Sequence, residues 1–550
     1  MTSSTHHDAL TRHRRRIESL LVAACLALSA PTARADAIGE ALRQRAEALR
    51  ASCQSPVAAR SCDTRLAEFY EDRNFAPAWA TGERREALLA AVDDSVGHGL
   101  DPARYHRDDL REASLAVADD PAVLASRDLL FSRMLARLAD DLRYGSIDPH
   151  ALHPAWKFPD ESPARHPAEA IAALASAPDL RVALERLAPQ TVLYSGLREA
   201  LSLYRRIAAE GGWPRVPSGP TLREGMQDAR LNLLRARLTA TGDLDALAGV
   251  TSPDQFDAGL AAAVNRFQAR HMLAADAAVG RRTLAALNVA VEQRIAQIRI
   301  NLERLRWIAH DLVGDYLLVD TAGFEAHLFL GGSLAWTSRV VVGRRYRETP
   351  EFRARLQYLV LNPAWVVPPT ILRQDVLPKL AADPDYLVRH EMQVFDSSGR
   401  PVAASGIAWS RYRERDIPYR IVQAPGPDNP LGRIKFGLPN PYAVYLHDTP
   451  SRNLFERIER TFSSGCIRLE HPLELAVALL DEPDTWTEQK LRAAIGTGRT
   501  VTIPVRRPVP VLLLYFTAKA TADGSVQFRA DPYGRDASIL AALERASTPD

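Results

Sequence analysis

The sequence predicts a multidomain α+β protein: a mainly helical N-terminal scaffold, a compact three-helix unit, and a strand-rich C-terminal domain broken by a helical capping insertion. Three observations carry this. At 550 residues the chain is too long for a single hydrophobic core, which sets an expectation of two to four domains. Apolar residues recur at helical spacing from Asp36 to Leu305. At Asp315 the period switches to short β-branched and aromatic runs separated by glycines.

The first 35 residues read as an export signal. Arg12 to Arg16 form a basic segment, Leu20 to Ala30 an apolar one, and Ala33-Arg34-Ala35 a small-x-small cleavage site. Two other readings stand beside cleavage after Ala35: an uncleaved anchor, and a lipoprotein box at Val22-Ala23-Ala24-Cys25. Five of the 69 basic and two of the 67 acidic residues fall in this segment, which leaves 64 against 65 and a net charge of −1. A near-neutral chain has no field suited to polyanions, so nucleic acid is not an expected partner.

Residues 36–220 form the helical region, with segments broken at Pro77, Pro102, Pro121, Pro149 and Pro189, and with Leu129, Met134, Leu135, Leu138 and Leu142 on helical spacing. Gly211 to Pro220 is a linker. Residues 221–290 are the three-helix unit. Thr221 is expected to open a helix carrying Leu231, Leu234 and Leu238. Ser252-Pro253-Asp254-Gln255 is expected to start the next, with a capping serine, a first-turn proline and a glutamine three residues on. Phe256, Leu260, Val264 and Phe267 give that helix one apolar face, with Arg270 and His271 read as surface residues. Residues 291–312 are expected to be an amphipathic connecting helix, from Val291, Ile295, Ile298, Leu302 and Leu305. Residues 313–535 carry the strands, and 536–550 form a tail. Within the strand domain, residues 370–420 are helical and charged, and an insertion of that size beside a site is a candidate lid.

Cysteine usage fits export. Cys53 and Cys62 are close enough to close a short loop, and an oxidising compartment lets them pair, a staple worth roughly 2–3 kcal/mol by loop entropy. Cys466 is then the odd thiol, either buried and inert or reactive. His447, nineteen positions earlier, ends the apolar run Tyr445-Leu446. A thiol with pKa about 8.5 needs an adjacent base or positive field to act as a nucleophile, and His447 is the residue placed to supply it. Gly465 permits close backbone approach, with main-chain N–H groups near Cys466 open to an oxyanion. Tyr445 shares the His447 face of its strand, and Arg468 suits a carboxylate. Structural roles stand beside these: an ion pair for Arg468, plain packing for Tyr445, turn shaping for Ser463 and Ser464, and core rather than substrate contact for Trp365. His150 and His153 have a spacing seen in metal sites but no acidic cluster, so no metal is expected.

These residues resemble the catalytic domain of L,D-transpeptidases, the YkuD type, over about 315–535. The resemblance rests on Asn362-Pro363-Ala364-Trp365-Val366-Val367-Pro368, on Pro425 to Phe436, on His447-Asp448-Thr449-Pro450 and on Ser463-Ser464-Gly465-Cys466. It is similar to the long, Gram-negative, YcbB-like branch. Residues 241–288 resemble a peptidoglycan-binding domain, in Ala263 to His271 and Val279 to Leu284; the N-terminal helices resemble the branch's scaffold. The resemblance implies a mixed β-sandwich catalytic domain and a periplasmic location. It implies that Cys466 attacks a donor tetrapeptide stem and releases D-Ala, and that the thioester passes to an acceptor stem as a 3→3 cross-link. His447 is implied as the base, oriented by a main-chain carbonyl just after it. No cofactor is implied. Stem peptides are the implied partners, with glycan strands and other cell-wall synthesis proteins as further ones, and carbapenems as acylating agents. Ser464 stands where many members have histidine, and Met272 and Ala277 stand where glycine is usual. Two competing functions remain open on the sequence: an L,D-carboxypeptidase or cysteine peptidase using the same thioester, and a non-catalytic wall-binding protein.

Overall fold

Asp120 and Pro121 begin the longest helix of the N-terminal region, Pro121–Tyr144, by complementary means. The aspartate accepts the Ala122 N–H at 2.8 Å, and the proline lacks the donor that would go unpaired there. Met134, Leu135, Leu138 and Leu142 form its buried face. Asp128 is buried beside them and ties the helix to its neighbours, accepting from the Ala78 and Trp79 N–H groups at 2.9 and 2.8 Å and from the Tyr70 hydroxyl at 2.8 Å. A buried carboxylate with three donors is satisfied rather than stranded. The computed structural model describes residues 34–51, 64–152, 154–158, 167–245, 252–383, 385–412, 417–521 and 523–546. Cys53, Cys62, His153 and nearly all of the expected signal lie outside them. The chain divides into two compact units, one of residues 1–147, 162–190 and 542–550, the other of 148–161 and 191–541.

In the second unit the three-helix region forms with two shifted starts. The first helix begins at Arg230, not Thr221, because Asp228 accepts the Arg230 N–H at 2.9 Å. The second begins at Ala258, where Asp257 caps the Leu260 N–H at 2.7 Å. Ser252 to Gln255 is instead a turn, and Gln255 bridges to Gln227. Met272 and Ala277 adopt φ of 53° and 54°, the left-handed region that glycine enters freely. The turn forms without glycine, and the Ala277 N–H donates to Asn265 and Gln268 at 2.8 and 3.0 Å. Arg270 and His271 are not surface residues. Arg270 pairs with Asp243 and meets the Tyr204 hydroxyl at 3.1 Å. His271 is buried, its ring 3.8 Å from that of Phe267, and burial pushes its pKa down.

The helix Val291–Ile308 departs from the amphipathic expectation. It is buried on nearly every side, including Asn301, Glu303, Arg304 and Arg306. Its apolar stripe is real; the rest of its circumference is filled by polar groups, most of them paired. Arg306 pairs with Glu303 and donates to the Tyr194 hydroxyl at 3.0 Å, and Glu303 also accepts from Trp307 Nε1 at 3.1 Å. Paired charges of this kind can sit in a core, and only one face reads as apolar in sequence.

The C-terminal region is built on β1 (Tyr316–Asp320), β2 (Glu325–Leu330), β3 (Ser333–Gly343), β4 (Phe352–Leu361), β5 (Trp365–Val366), β6 (Met392–Phe395), β7 (Pro401–Val402), β8 (Arg420–Gln423), β9 (Ile434–Gly437), β10 (Leu446–His447), β11 (Thr461–Ser463), β12 (Ile467–Leu469), β13 (Val501–Leu514), β14 (Ala518–Ala520) and β15 (Val526–Phe528). The main sheet has the order β11-β3-β12-β10-β9-β4-β13-β1-β2, and β3 also pairs with β2. The mixed sandwich is therefore one continuous ladder: β3 pairs β2 over Ser333 to Arg339 and β12 over Val340 and Val341. Leu359, Leu361, Phe436, Leu446, Ile467 and Leu469 fill its interior.

The insertion is only partly helical. Helical turns run from Pro369 to Ala382 and from Tyr386 to Arg389, with a π-helical stretch at Leu372–Val376. Its second half contributes β6 and β7 to a separate sheet of order β5-β8-β6-β7. Met392 to Phe395 is too short to show a strand period, and its partner β8 lies beyond a long loop, so the pairing leaves no local signal.

Candidate active site

Ladder register assembles the site. β10 runs parallel to β12, with Leu446 level with Ile467 and His447 level with Arg468. The Ile467 N–H donates to the Tyr445 carbonyl at 3.0 Å. Side chains alternate across a strand, so Leu446 and Ile467 enter the core while Tyr445, His447, Cys466 and Arg468 share the opposite face. β9 pairs antiparallel with β10 from the other side and sets Lys435 level with His447. The Tyr445 and His447 rings lie 5.6 Å apart, and Lys435 Nζ is 4.1 Å from the Tyr445 ring centre.

His447 is buried, at 4% exposure. Its Nδ1 lies 2.5 Å from the Asp448 main-chain oxygen. A carbonyl only accepts, so Nδ1 carries the hydrogen and Nε2 is left as the basic nitrogen. Burial, and then the neighbouring Arg468, push the imidazole pKa down to about 3, so it is neutral at physiological pH. Behind it, Asp448 Oδ2 accepts the Arg433 N–H at 2.8 Å. This closes the turn at Gly432, whose φ is +61° and whose Cβ, if present, would lie 2.4 Å from Asp448 Oδ2.

Cys466 is a free thiol, partly accessible, with Sγ 3.7 Å from the Ala443 carbonyl. Burial pushes its pKa up, while Tyr445, Lys435 and Arg468 act the other way. Burial also raises the Tyr445 hydroxyl far above its ordinary value, so it is a neutral donor. Arg468 is half-buried, and its Nε is buried without a hydrogen-bond partner. Burial and the nearby Arg344 lower its pKa, and no carboxylate among the described residues pairs with it.

The loop before the thiol is tightly held. Gly465 has φ +112°, a conformation costly for any residue with a Cβ. Its N–H donates to Ser463 Oγ at 3.0 Å, Ser463 Oγ donates to the Cys466 carbonyl at 2.6 Å, and the Gly465 carbonyl accepts from Thr349 Oγ1 at 2.9 Å. The expected set of oxyanion donors therefore narrows. The Gly465 N–H is used internally, while the Cys466 N–H has no such bond. Ser464 is exposed, and its Oγ accepts from Arg347 Nη1 at 2.9 Å. Arg347 also binds Gln374 and Asp375 of the insertion, at 2.6 and 2.5 Å.

Trp365 is 8% exposed in the apolar core of the insertion, and Tyr445 packs against that core. Its indole also meets the Tyr445 hydroxyl. Sequence reasoning missed Lys435, Gly432, Asp448, Thr349 and Arg347. Gly432 and Lys435 lie inside the Pro425 to Phe436 motif and Asp448 follows His447, which were usable signals; Thr349 and Arg347 sit in an unremarkable loop. Among the described residues no cluster of three or more His, Cys, Asp or Glu is arranged to hold a metal. Among them also, no helix is long and apolar enough to cross a membrane.

A partly accessible thiol and a neutral imidazole on one rigid sheet face, with an unpaired arginine beside them, are groups that could together carry nucleophilic chemistry. Residues 314–509 match the family described as L,D-transpeptidase catalytic domain, and the chain carries a YkuD-type domain of that family. Residues 227–287 match a "putative peptidoglycan binding domain", and 64–201 match a scaffold domain. A curated Haemophilus influenzae protein named "putative L,D-transpeptidase" is 37% identical over 249 residues, 45% of this chain and 50% of the relative. The chain thus spans about half the length of that relative. A solved L,D-transpeptidase fragment from Xylanimonas cellulosilytica aligns at 12% identity over 54% of this chain and 99% of that one, with a TM-score of 0.18, too low to bear on the fold.

Proposed function

We propose that this chain is a peptidoglycan L,D-transpeptidase of the long YcbB-like branch, acting in the periplasm after removal of its N-terminal signal. The observation that carries the reading is the common face of His447 on β10 and Arg468 on β12, with Cys466 immediately before β12, inside the matched catalytic domain. Cys466 Sγ attacks the carbonyl of the third residue of a donor tetrapeptide stem, and His447 Nε2 takes the thiol proton. The Cys466 N–H and the Tyr445 hydroxyl donate to the oxyanion. The intermediate collapses to a thioester, and His447 returns the proton to the departing amine of D-Ala. A side-chain amine of a second stem then attacks the thioester. It loses a proton to His447, releases the thiol and forms a 3→3 cross-link. Arg468 holds a donor carboxylate, and residues 227–287 contact glycan.

Intact mass after exposure to a tetrapeptide muropeptide tests this directly. An adduct equal to the donor less D-Ala, absent in Cys466→Ala, is the expected result, with dimers appearing when acceptor is added. No adduct on folded, reduced protein would remove the mechanism. Tripeptide without dimers would make the enzyme a carboxypeptidase. Carbapenems should form the same Cys466-dependent acyl adduct.

A further inference from the structure

His447 is flanked on both sides by cations, and its ladder neighbours supply no acidic partner. Arg468 stands level with it on β12 and Lys435 level with it on β9. Arg344 faces Arg468 from the end of β3. The nearest carboxylate, Asp448, is spent on the Arg433 N–H. The Cys466 thiol is hydrogen-bonded by Tyr445, just before β10, and feels the charges of Lys435 on β9 and Arg468 on β12. Lys435 is half-buried, and its ammonium rests over the Tyr445 ring at 4.1 Å, which fixes a flexible side chain at one place. It makes no ion pair among the described residues, and Cys466 and His447 both feel its charge.

A neutral, buried imidazole cannot stabilise a neighbouring thiolate as an imidazolium would. Before His447 takes the thiol proton, the positive field at the sulfur therefore comes from Lys435 and Arg468, beside the hydrogen bonds from Tyr445. We propose that Lys435 is a positioning residue for the nucleophile: its ammonium, seated on the Tyr445 ring, supplies the positive field that stabilises the Cys466 thiolate. This rests on Cys466 being the nucleophile, and it assigns the lysine a role separate from the Arg468 contact with donor carboxylate. An opposite charge within about 4–6 Å moves a neighbouring acid by about one pKa unit or more.

The test is the pH profile of Cys466 alkylation by iodoacetamide on the mature protein, read at the Cys466 peptide by mass spectrometry. It needs no peptidoglycan substrate. In Lys435→Met the midpoint should rise by about one unit, which is about tenfold slower labelling at pH values below it, and Lys435→Arg should retain most of the wild-type profile. A folded Lys435→Met with an unmoved midpoint overturns the proposal. If that variant fails to fold, Lys435→Gln removes the same charge, and an unmoved midpoint there overturns it equally. A shifted profile in a protein that never forms a muropeptide adduct would sink the transpeptidase reading and leave Lys435 in place. An adduct with an unmoved profile would do the opposite.

Discussion

Arg468 stands level with His447 across the parallel β10–β12 ladder, close enough to lower the imidazole's proton affinity. The residues proposed as base and carboxylate binder are thus electrostatically coupled before any substrate arrives. If Arg468 pairs with a donor carboxylate as proposed, part of that repulsion is removed, and His447 should become a better proton acceptor as the donor binds.

This coupling predicts a pH dependence. With its folded pKa near 3, His447 remains neutral through the usual histidine range, so acylation should show no loss between pH 7 and 5.5 assignable to it. Stability should follow the sign of the same shift. The unfolded chain takes up a proton near pH 6.5 and the folded one does not, so stability contributed by His447 is complete above 6.5 and falls toward 3. The slope is roughly 1.4 kcal/mol per pH unit at most. Urea titrations at pH 7 and 5 compare this directly with His447→Gln, which should lack that part of the acid sensitivity. Equal pH dependence in the two proteins would show that His447 titrates normally.

Gly432 supports the base from behind. An added Cβ meets Asp448 at 2.4 Å in a backbone with φ +61°, so Gly432→Ala strains the turn that holds His447. The expected cost is about 1–3 kcal/mol in stability, with carbapenem acylation slowed about tenfold or more. Calorimetry and intact-mass kinetics read the two effects, and a variant matching wild type in both would mean the turn adapts freely.

Much of this site was legible because its chemistry sits in short stretches. Tyr445-Leu446-His447 announces a strand end, and Ser463-Ser464-Gly465 announces a turn before Cys466. What the sequence does not contain is the pairing of β9 with β10, which turns Lys435 from a motif residue into a neighbour of His447. That relation is long-range, and a one-residue slip would reverse it. The buried helix Val291–Ile308 hid for a different reason: Arg306 and Glu303 look solvent-facing until their mutual pairing is known. The shifted helix starts reflect competition between equally good caps, with Asp228 and Asp257 prevailing over Thr221 and Ser252.

Thr349 offers a cleaner probe of the loop than Gly465 itself. Its hydroxyl accepts from the Gly343 N–H at 3.0 Å and donates to the Gly465 carbonyl at 2.9 Å, fixing the peptide whose other end is the Cys466 N–H. Thr349→Val keeps the shape and removes both bonds. Stability should fall by about 1–3 kcal/mol, and acylation by about tenfold or more if that N–H serves the oxyanion. Iodoacetamide labelling, which forms no oxyanion, should change far less. Equal losses in both reactions would assign Thr349 a purely structural role.

Arg347 ties the insertion to the nucleophile loop. It binds Gln374 and Asp375 on one side and Ser464 on the other, so the segment carrying the π-helical turn is held to the residue two before the thiol. Charge-assisted bonds of this type are worth about 1.5–3 kcal/mol. Arg347→Met should release the segment: amide exchange over residues 369–389 is expected to quicken, with donor acylation slowed about tenfold and the melting temperature little changed. Ser464→Ala removes only one arm of the contact. Because the ion pair to Asp375 persists, exchange in the insertion should stay near wild type while acylation slows by a smaller factor. If Arg347→Met leaves exchange over 369–389 untouched, the insertion is held by its apolar core around Trp365, Leu372 and Leu387, and Arg347 serves the nucleophile loop alone.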